Sequence, residues 1–160
     1  MKQKARVKFW KNFSLNELNQ VEWEMLCDGC GKCCLIKLEN DETEEIHYTN
    51  IACRLFDDET CQCGNYQIRK KLVSNCLILT KNNLKESLNW MPETCAYRLL
   101  YEGKSLKNWH HLISGSKETV HKAGISVKQS TISEYDIPND KWDQYITTNS
   151  MNRHVFFKED

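Results

Sequence analysis

No apolar stretch of the chain is long enough to cross a bilayer. Its longest unbroken runs, such as Cys76-Leu77-Ile78-Leu79, hold four residues, where a spanning helix needs about 20. Net charge is also missing: 22 lysines and arginines face 22 aspartates and glutamates, so no long-range field draws the chain toward nucleic acid or an anionic membrane surface. The apolar share of 40% is below the ~45–50% of an average soluble domain, which leaves burial in need of a second source of stability. A length of 160 residues corresponds to one domain at roughly 100–200 residues each. No internal repeat or low-complexity tract divides it.

The motifs of dedicated catalysis are absent as well. There is no Gly-rich phosphate loop, no nucleophile elbow and no His-Glu-x-x-His zinc motif, so enzyme chemistry has no positive support. Nucleic-acid binding would need basic residues interleaved with stacking aromatics. Only Lys2 to Lys11, with Phe9 and Trp10, has that pattern, and a solvated basic arm accounts for it equally well. Polar residues Ser14-Leu15-Asn16-Glu17 follow this stretch where a signal peptide would carry its apolar core, so the expected location is the cytoplasm.

What the chain does have is nine cysteines. Their number is odd and their density is below the ~8–10% of a short secreted disulfide scaffold. In a reducing compartment such cysteines read as metal ligands rather than disulfides. The central pattern is Cys27-x2-Cys30-x2-Cys33-Cys34, in which Gly29 and Gly31 permit the tight turns that wrap backbone around an ion. This spacing matches the first three ligands of a bacterial ferredoxin run, but Cys34 follows directly and no proline comes after it. Adjacent side chains diverge, which points Cys33 and Cys34 toward different centres.

A second group is formed by Cys53, Cys61, Cys63, Cys76 and Cys95. Two four-cysteine sites would use eight thiols and leave one for packing or a bridge. Cys76, in its apolar run, reads equally as a small buried hydrophobe. All nine cysteines are thus candidate metal ligands. Zinc in a closed tetrahedron and iron, alone or in an iron–sulfur cluster, both suit soft thiolates. Among the histidines, His110, His111 and His121 lie close enough in sequence to add nitrogen ligands or outer support, whereas His47 and His154 stand apart. Arg69, one helical turn beyond Tyr66 and near Cys63, either brings positive charge to an anionic centre or is a solvated residue beside an aromatic contact.

Local patterns predict short elements. Ser14 and Glu17 make a capping box for a helix with Leu15, Leu18, Val21 and Met25 on one face. Leu35–Leu38 and Ile46–Thr49 read as strands joined across a solvated run of five acidic residues between Glu39 and Glu45. A helix is expected at Tyr66–Val73, a buried strand at Cys76–Leu79 and a short helix after Thr80. Pro92 and Gly103 frame a helix over 93–102, and Ser116 and Gly124 frame another that contains His121. A strand at 125–128 follows, and the pattern then fades into a polar tail.

The segments Cys27-Asp28-Gly29-Cys30-Gly31-Lys32-Cys33-Cys34, Cys61-Gln62-Cys63-x2-Tyr66-x2-Arg69 and Pro92-Glu93-Thr94-Cys95-Ala96-Tyr97-Arg98 resemble the YcgN-like CxxCxxCC cysteine-cluster family. The resemblance continues through Trp109-His110, Leu112 to Gly115, Val120-His121 and Gly124 to Val127, and covers roughly residues 10 to 135. It departs at His111, where the family is expected to carry proline. The resemblance implies a bacterial, cytosolic, zinc- or iron-chelating protein, without supplying a reaction. Flagellin lysine methylases carry a similar cysteine cluster, but the Gly-rich strand-to-helix turn for a nucleotide-like cofactor is missing here.

The resulting expectation is a small, loop-rich α+β domain, stapled by metal, with short helices and little regular sheet. It comprises a basic arm over 1–13, a cysteine-cluster domain over 14–137 and a polar tail over 138–160. Its expected partner is a metal ion rather than a membrane or nucleic acid. Its expected function is metal binding, with an iron–sulfur redox or electron-transfer enzyme or accessory protein as the alternative. Because the apolar content is modest, metal binding should supply folding free energy. Stripping the metal should lower the thermal midpoint and helical circular dichroism, and unchanged values after verified removal would contradict this.

Overall fold

The computed structural model describes residues 2–150. Helix formation at the N-terminus is governed by two successive capping boxes. The first is the expected one: the Glu17 carboxylate accepts the N–H and the Oγ–H of Ser14, each at 2.8 Å, and caps a single 3-10 turn at Leu15–Glu17. The single helix expected here is split, because Asn19-x-x-Glu22 forms a competing box. The Asn19 side chain accepts the Glu22 N–H at 3.0 Å, and Glu22 accepts the Asn19 N–H at 2.9 Å. Leu18 is therefore extended, and a new helix begins at Gln20.

Helix α1 (Phe9–Asn12) and helix α2 (Gln20–Met25) are tied together by charge. Arg6 donates to the fully buried Glu22 carboxylate at 2.7 and 2.8 Å from its side chain and at 2.9 Å from its backbone. Phe9 is buried in the core, so the stretch read as a basic arm packs onto α2. Val21, assigned to the apolar face, is exposed, while Trp23 and Leu26 are buried.

The two expected strands form an antiparallel pair, β1 (Leu35–Glu39) and β2 (Ile46–Ala52). In the acidic turn between them, the Asn40 side chain accepts the N–H groups of Glu42 and Thr43. A short ribbon of β3 (Phe56–Asp57) and β4 (Gln62–Cys63) follows. On the far edge of β2 lie β5 (Ile132–Ser133), parallel to it, and β6 (Ile146–Ser150), antiparallel. The polar tail thus contributes a strand, preceded by a 3-10 stretch at Asn139–Tyr145. Residues 151–160 of that tail lie outside the described residues.

The remaining helices are single turns or little more: α3 (Arg69–Leu72), α4 (Leu84–Ser87), α5 (Ala96–Tyr101), α6 (His111–Ser114) and α7 (Thr119–Lys122). Two expected strands do not form. At Cys76–Leu79 side chains satisfy the carbonyls that a neighbouring strand would: Asn83 donates to Ile78 O at 2.7 Å and the Trp23 indole donates to Leu79 O at 3.1 Å. At 125–128 Val127 donates its N–H to Cys30 O at 2.9 Å, which ties the segment to the cysteine loop instead of a sheet.

The architecture is mixed α+β with much loop. Among the described residues most of the buried apolar side chains fall into three clusters. One joins Phe9, Leu18, Trp23, Leu26, Leu84, Met91, Tyr97 and Leu106 around the helices and includes Cys95. A second joins Leu35, Ile46, Tyr48, Ala52 and Val127 on the sheet and includes Cys61. The third, Val120 and Ile125, includes Cys30.

The N-terminal lock generates a pH-dependent prediction. Hydrogen bonds from Arg6, reinforced by backbone N–H groups, hold the Glu22 carboxyl at about 2, below its ordinary 4.5. Its stabilising contribution should therefore be complete above about pH 4.5 and vanish as pH falls toward about 2. Glu22→Ala should destabilise by about 2 kcal/mol at neutral pH and by much less at pH near 2, as read by urea unfolding at both pH values.

Candidate metal centre

The loop from Cys27 to Cys34 runs between the three clusters. Gly29 and Gly31 adopt left-handed φ values of 78° and 80°, and a 3-10 turn over Lys32–Cys34 leads into β1. At Gly31 the turn is also tightly enclosed: a Cβ there would lie 2.9 Å from Cys61 Sγ, from Phe56 and from Val127, whereas at Gly29 it would meet nothing within 4 Å. Cys61 donates its thiol toward Gly29 O and Cys30 O, at 3.4 Å each.

All nine cysteines are free thiols. Cys30, Cys61 and Cys95 are buried; Cys27 and Cys33 are exposed as residues, although protein atoms crowd their sulfurs. Electrostatics ties most of them to Cys33, whose negative charge acts on Cys27, Cys30, Cys34, Cys61, Cys76 and Cys95. Cys53 is coupled to Cys34 and to Cys76, and Cys63 acts on Cys76. The loop cysteines and part of the downstream group thus lie within reach of one another's charge. Among the described residues, no three of histidine, cysteine, aspartate and glutamate stand as a preformed ligand set.

Protonation divides the thiols. Burial pushes Cys95 up to about 12 and Cys61 to about 11, and it raises Cys27 and Cys30 further, with the Asp28 charge adding to the effect. Cys33 is the opposite case. A hydrogen bond from the Cys34 thiol brings it down to about 6 against the effect of burial, with help from Lys37. Cys34, as the donor, is correspondingly raised. A thiolate is the metal-binding form, and the hydrogen bond within this adjacent pair favours it at Cys33 and disfavours it at Cys34.

Several polar groups at this site escaped the sequence reading. Asp28 is buried; its Oδ1 accepts the Cys30 N–H at 2.9 Å, and its Oδ2 is enclosed without a hydrogen-bond partner among the described residues. Lys32 is buried and feels the charges of Cys30 and Asp28. Lys37, on β1, donates to Cys33 O and Leu35 O at 3.1 and 3.0 Å and lies in the field of Cys33 and Cys34. The available signal was the enclosure of Asp28 and Lys32 between cysteines within the motif.

The histidines are engaged elsewhere. His110 is 1% exposed and donates from Nε2 to Leu26 O at 2.8 Å, while its Nδ1 accepts the Leu112 N–H at 3.0 Å, so both ring nitrogens are used. His111 stacks on it at 4.6 Å and bonds Met25 O. His121 pairs with Ser126 Oγ at 2.6 Å, and His47 lies 3.6 Å from Glu45. His154 lies outside the described residues. Arg69 makes the aromatic contact considered for it, 3.7 Å over the Tyr66 ring, and its charge lowers Cys76 against the raising effect of burial.

The donor chemistry suits a thiophilic divalent cation or iron. Thiols that cannot ionise beside one another, together with a buried carboxylate oxygen lacking a partner, become mutually compatible once a cation lies among them.

Comparisons with known proteins agree. The CxxCxxCC family, described as "Putative zinc- or iron-chelating domain", matches residues 26–96. A UPF0260 protein of Rhodobacter capsulatus is 53% identical over 146 residues, covering 91% of this chain and 97% of its own. Another from Caulobacter is 49% identical over 149 residues, covering 92% and 91%, and one from Brucella melitensis is 51% identical over 139, covering 86% and 90%. The chain belongs to the UPF0260 family of CxxCxxCC proteins. No solved structure matches it.

The enclosure of Gly31 yields a contrast between neighbours. Gly31→Ala should destabilise by about 1–3 kcal/mol through overpacking, in addition to the strain of a positive φ. Gly29→Ala should carry only the conformational part. Chemical unfolding of the two variants measures the difference, and equal losses would refute it.

Proposed function

We propose that the protein holds zinc or iron on two sets of cysteines and acts in the cytoplasm as a metal-binding protein. The observation that carries this reading is that the stretch matched by the zinc- or iron-chelating family, residues 26–96, contains all nine cysteines, with the Cys61 thiol folded back onto the carbonyls of Gly29 and Cys30 in the cysteine loop. The first set grows from Cys27, Cys33 and Cys95, with the charges of Cys33 and Cys95 acting on Cys27 and that of Cys33 acting on Cys95 and Cys30. The second grows from Cys34, Cys53, Cys63 and Cys76, linked through Cys53 and Cys76. Cys61, packed in the sheet cluster and donating to two carbonyls, is the ninth thiol and serves packing.

No helix among the described residues is long and apolar enough to cross a membrane. When bound, the metal supplies the positive charge that lets several thiolates exist side by side. The chain supplies the donors and, through Lys32, Lys37 and Arg69, part of the counter-charge for an anionic centre. An iron–sulfur redox role is the second reading, favoured by the same lysine and arginine charges, since reduction adds negative charge that nearby cations stabilise.

Protein purified without air separates these readings: a zinc site is colourless and redox-silent, whereas an iron–sulfur centre absorbs in the visible and bleaches on reduction. Metal content tests the two sets. Cys27→Ser and Cys34→Ser should each lower bound metal partway and the double variant should lose more than either, while Cys61→Ala should keep full stoichiometry. A double variant no worse than Cys27→Ser alone would reject the two-centre arrangement.

A further inference from the structure

A cavity of about 290 Å³ opens to solvent where the 3-10 turn at Leu15–Glu17 meets α2, α4 and α5. None of the nine cysteines lines it. Its apolar wall comes from Leu15, Trp23, Leu84, Leu100 and Tyr101, of which Trp23 and Leu84 are buried in the helical cluster. The indole N–H of Trp23 is spent on Leu79 O at 3.1 Å, so this ring offers the cavity only its carbon surface.

Two lysines, Lys81 and Lys85, share the same lining. Lys81 Nζ donates to the carbonyls of Asn16 and Leu18, which holds the ammonium in place and leaves one of its three hydrogens for a further acceptor. Neither lysine forms an ion pair among the described residues, and no carboxylate belongs to the lining. Acids close by in the chain are engaged: Glu17 takes the N–H and Oγ–H of Ser14, and Glu102 faces Arg98 and Lys104. The imbalance is local to one stretch of a neutral chain, since residues 60–85 hold five lysines and arginines and no aspartate or glutamate.

The lining restricts what fits. An inorganic anion would meet the lysines and leave the apolar wall wet, whereas a neutral hydrocarbon would cover the wall and leave the cations without a counter-ion. An amphipathic anion satisfies both. The volume lies at the lower edge of the ~300–1,000 Å³ typical of ligand pockets, which keeps the ligand small. We propose that this cavity binds a small amphipathic carboxylate, with its hydrocarbon part against Trp23 and Leu84 and its carboxylate at Lys81 and Lys85.

The test titrates octanoate into the full chain by calorimetry, with octanamide as the control of equal length and similar head shape but no charge. Octanoate should bind at one site per chain, at least about tenfold more tightly than octanamide, and its binding should weaken as salt is added. The NMR resonance of the Trp23 indole N–H should shift with the same saturation curve. Lys85→Met removes a charge from an exposed side chain and keeps its apolar stem; it should weaken octanoate severalfold and leave octanamide unchanged. The comparison of the two ligands uses the wild type and stands even if Lys85→Met folds poorly. Absence of binding at millimolar octanoate, uptake of many molecules per chain, equal affinity for octanamide, or binding that leaves Trp23 unmoved would each overturn the proposal.

Discussion

The arrangement of the described residues depends on one short loop at which three apolar clusters meet. Cys27–Cys34 lies between three small apolar clusters, and each cluster contains a cysteine: Cys95 among the helices, Cys61 on the sheet and Cys30 beside Val120 and Ile125. Clusters of this size bury little surface individually, and hydrophobic stabilisation scales with the area removed from water. What joins them is backbone and thiol bonding through the loop, from Val127 N–H to Cys30 O and from Cys61 to Gly29 and Cys30. The groups at this junction are acids and thiols that resist ionising together, so a cation among them would act on all three clusters at once.

The rest of the fold reads as a frame around that junction. Two capping boxes and the Arg6–Glu22 lock set the direction in which α2 delivers Leu26 and Cys27. His110, whose Nε2 holds Leu26 O, and Tyr97, whose hydroxyl donates to Trp23 O at 2.7 Å, fasten the same turn from the other side. Tyr48 crosses from the sheet to donate to Trp90 O at 2.9 Å, just ahead of Pro92–Cys95. Buried polar side chains are thus paired with backbone carbonyls next to the cysteines, which restricts the loop without occupying its donors.

The family description names zinc or iron chelation. The matched stretch, residues 26–96, contains all nine cysteines, and the coupling among their charges follows the same residues. The cations nearest them come from different elements: Lys32 from the loop, Lys37 from β1 and Arg69 from α3. Such a distribution moderates the charge of a thiolate centre from several sides, a general means by which proteins tune metal affinity and potential.

The sequence by itself determined what depends on spacing and local chemistry. Capping pairs such as Ser14 and Glu17 act within one turn, the β1 and β2 segments carry their own apolar pattern, and Gly29 and Gly31 turn the chain between cysteines spaced three apart whatever surrounds them. Tertiary structure decided what depends on competition and enclosure. Asn19 and Glu22 broke a helix that periodicity alone would continue, and side-chain bonds from Trp23 and Asn83 took the carbonyls of 78 and 79, so no strand formed there. Both nitrogens of His110 went to backbone groups brought in from distant or neighbouring turns, which removed it from the donors. Asp28 and Lys32 look like ordinary polar loop residues until the fold buries them, because a charge becomes a strong constraint only when water is excluded from it.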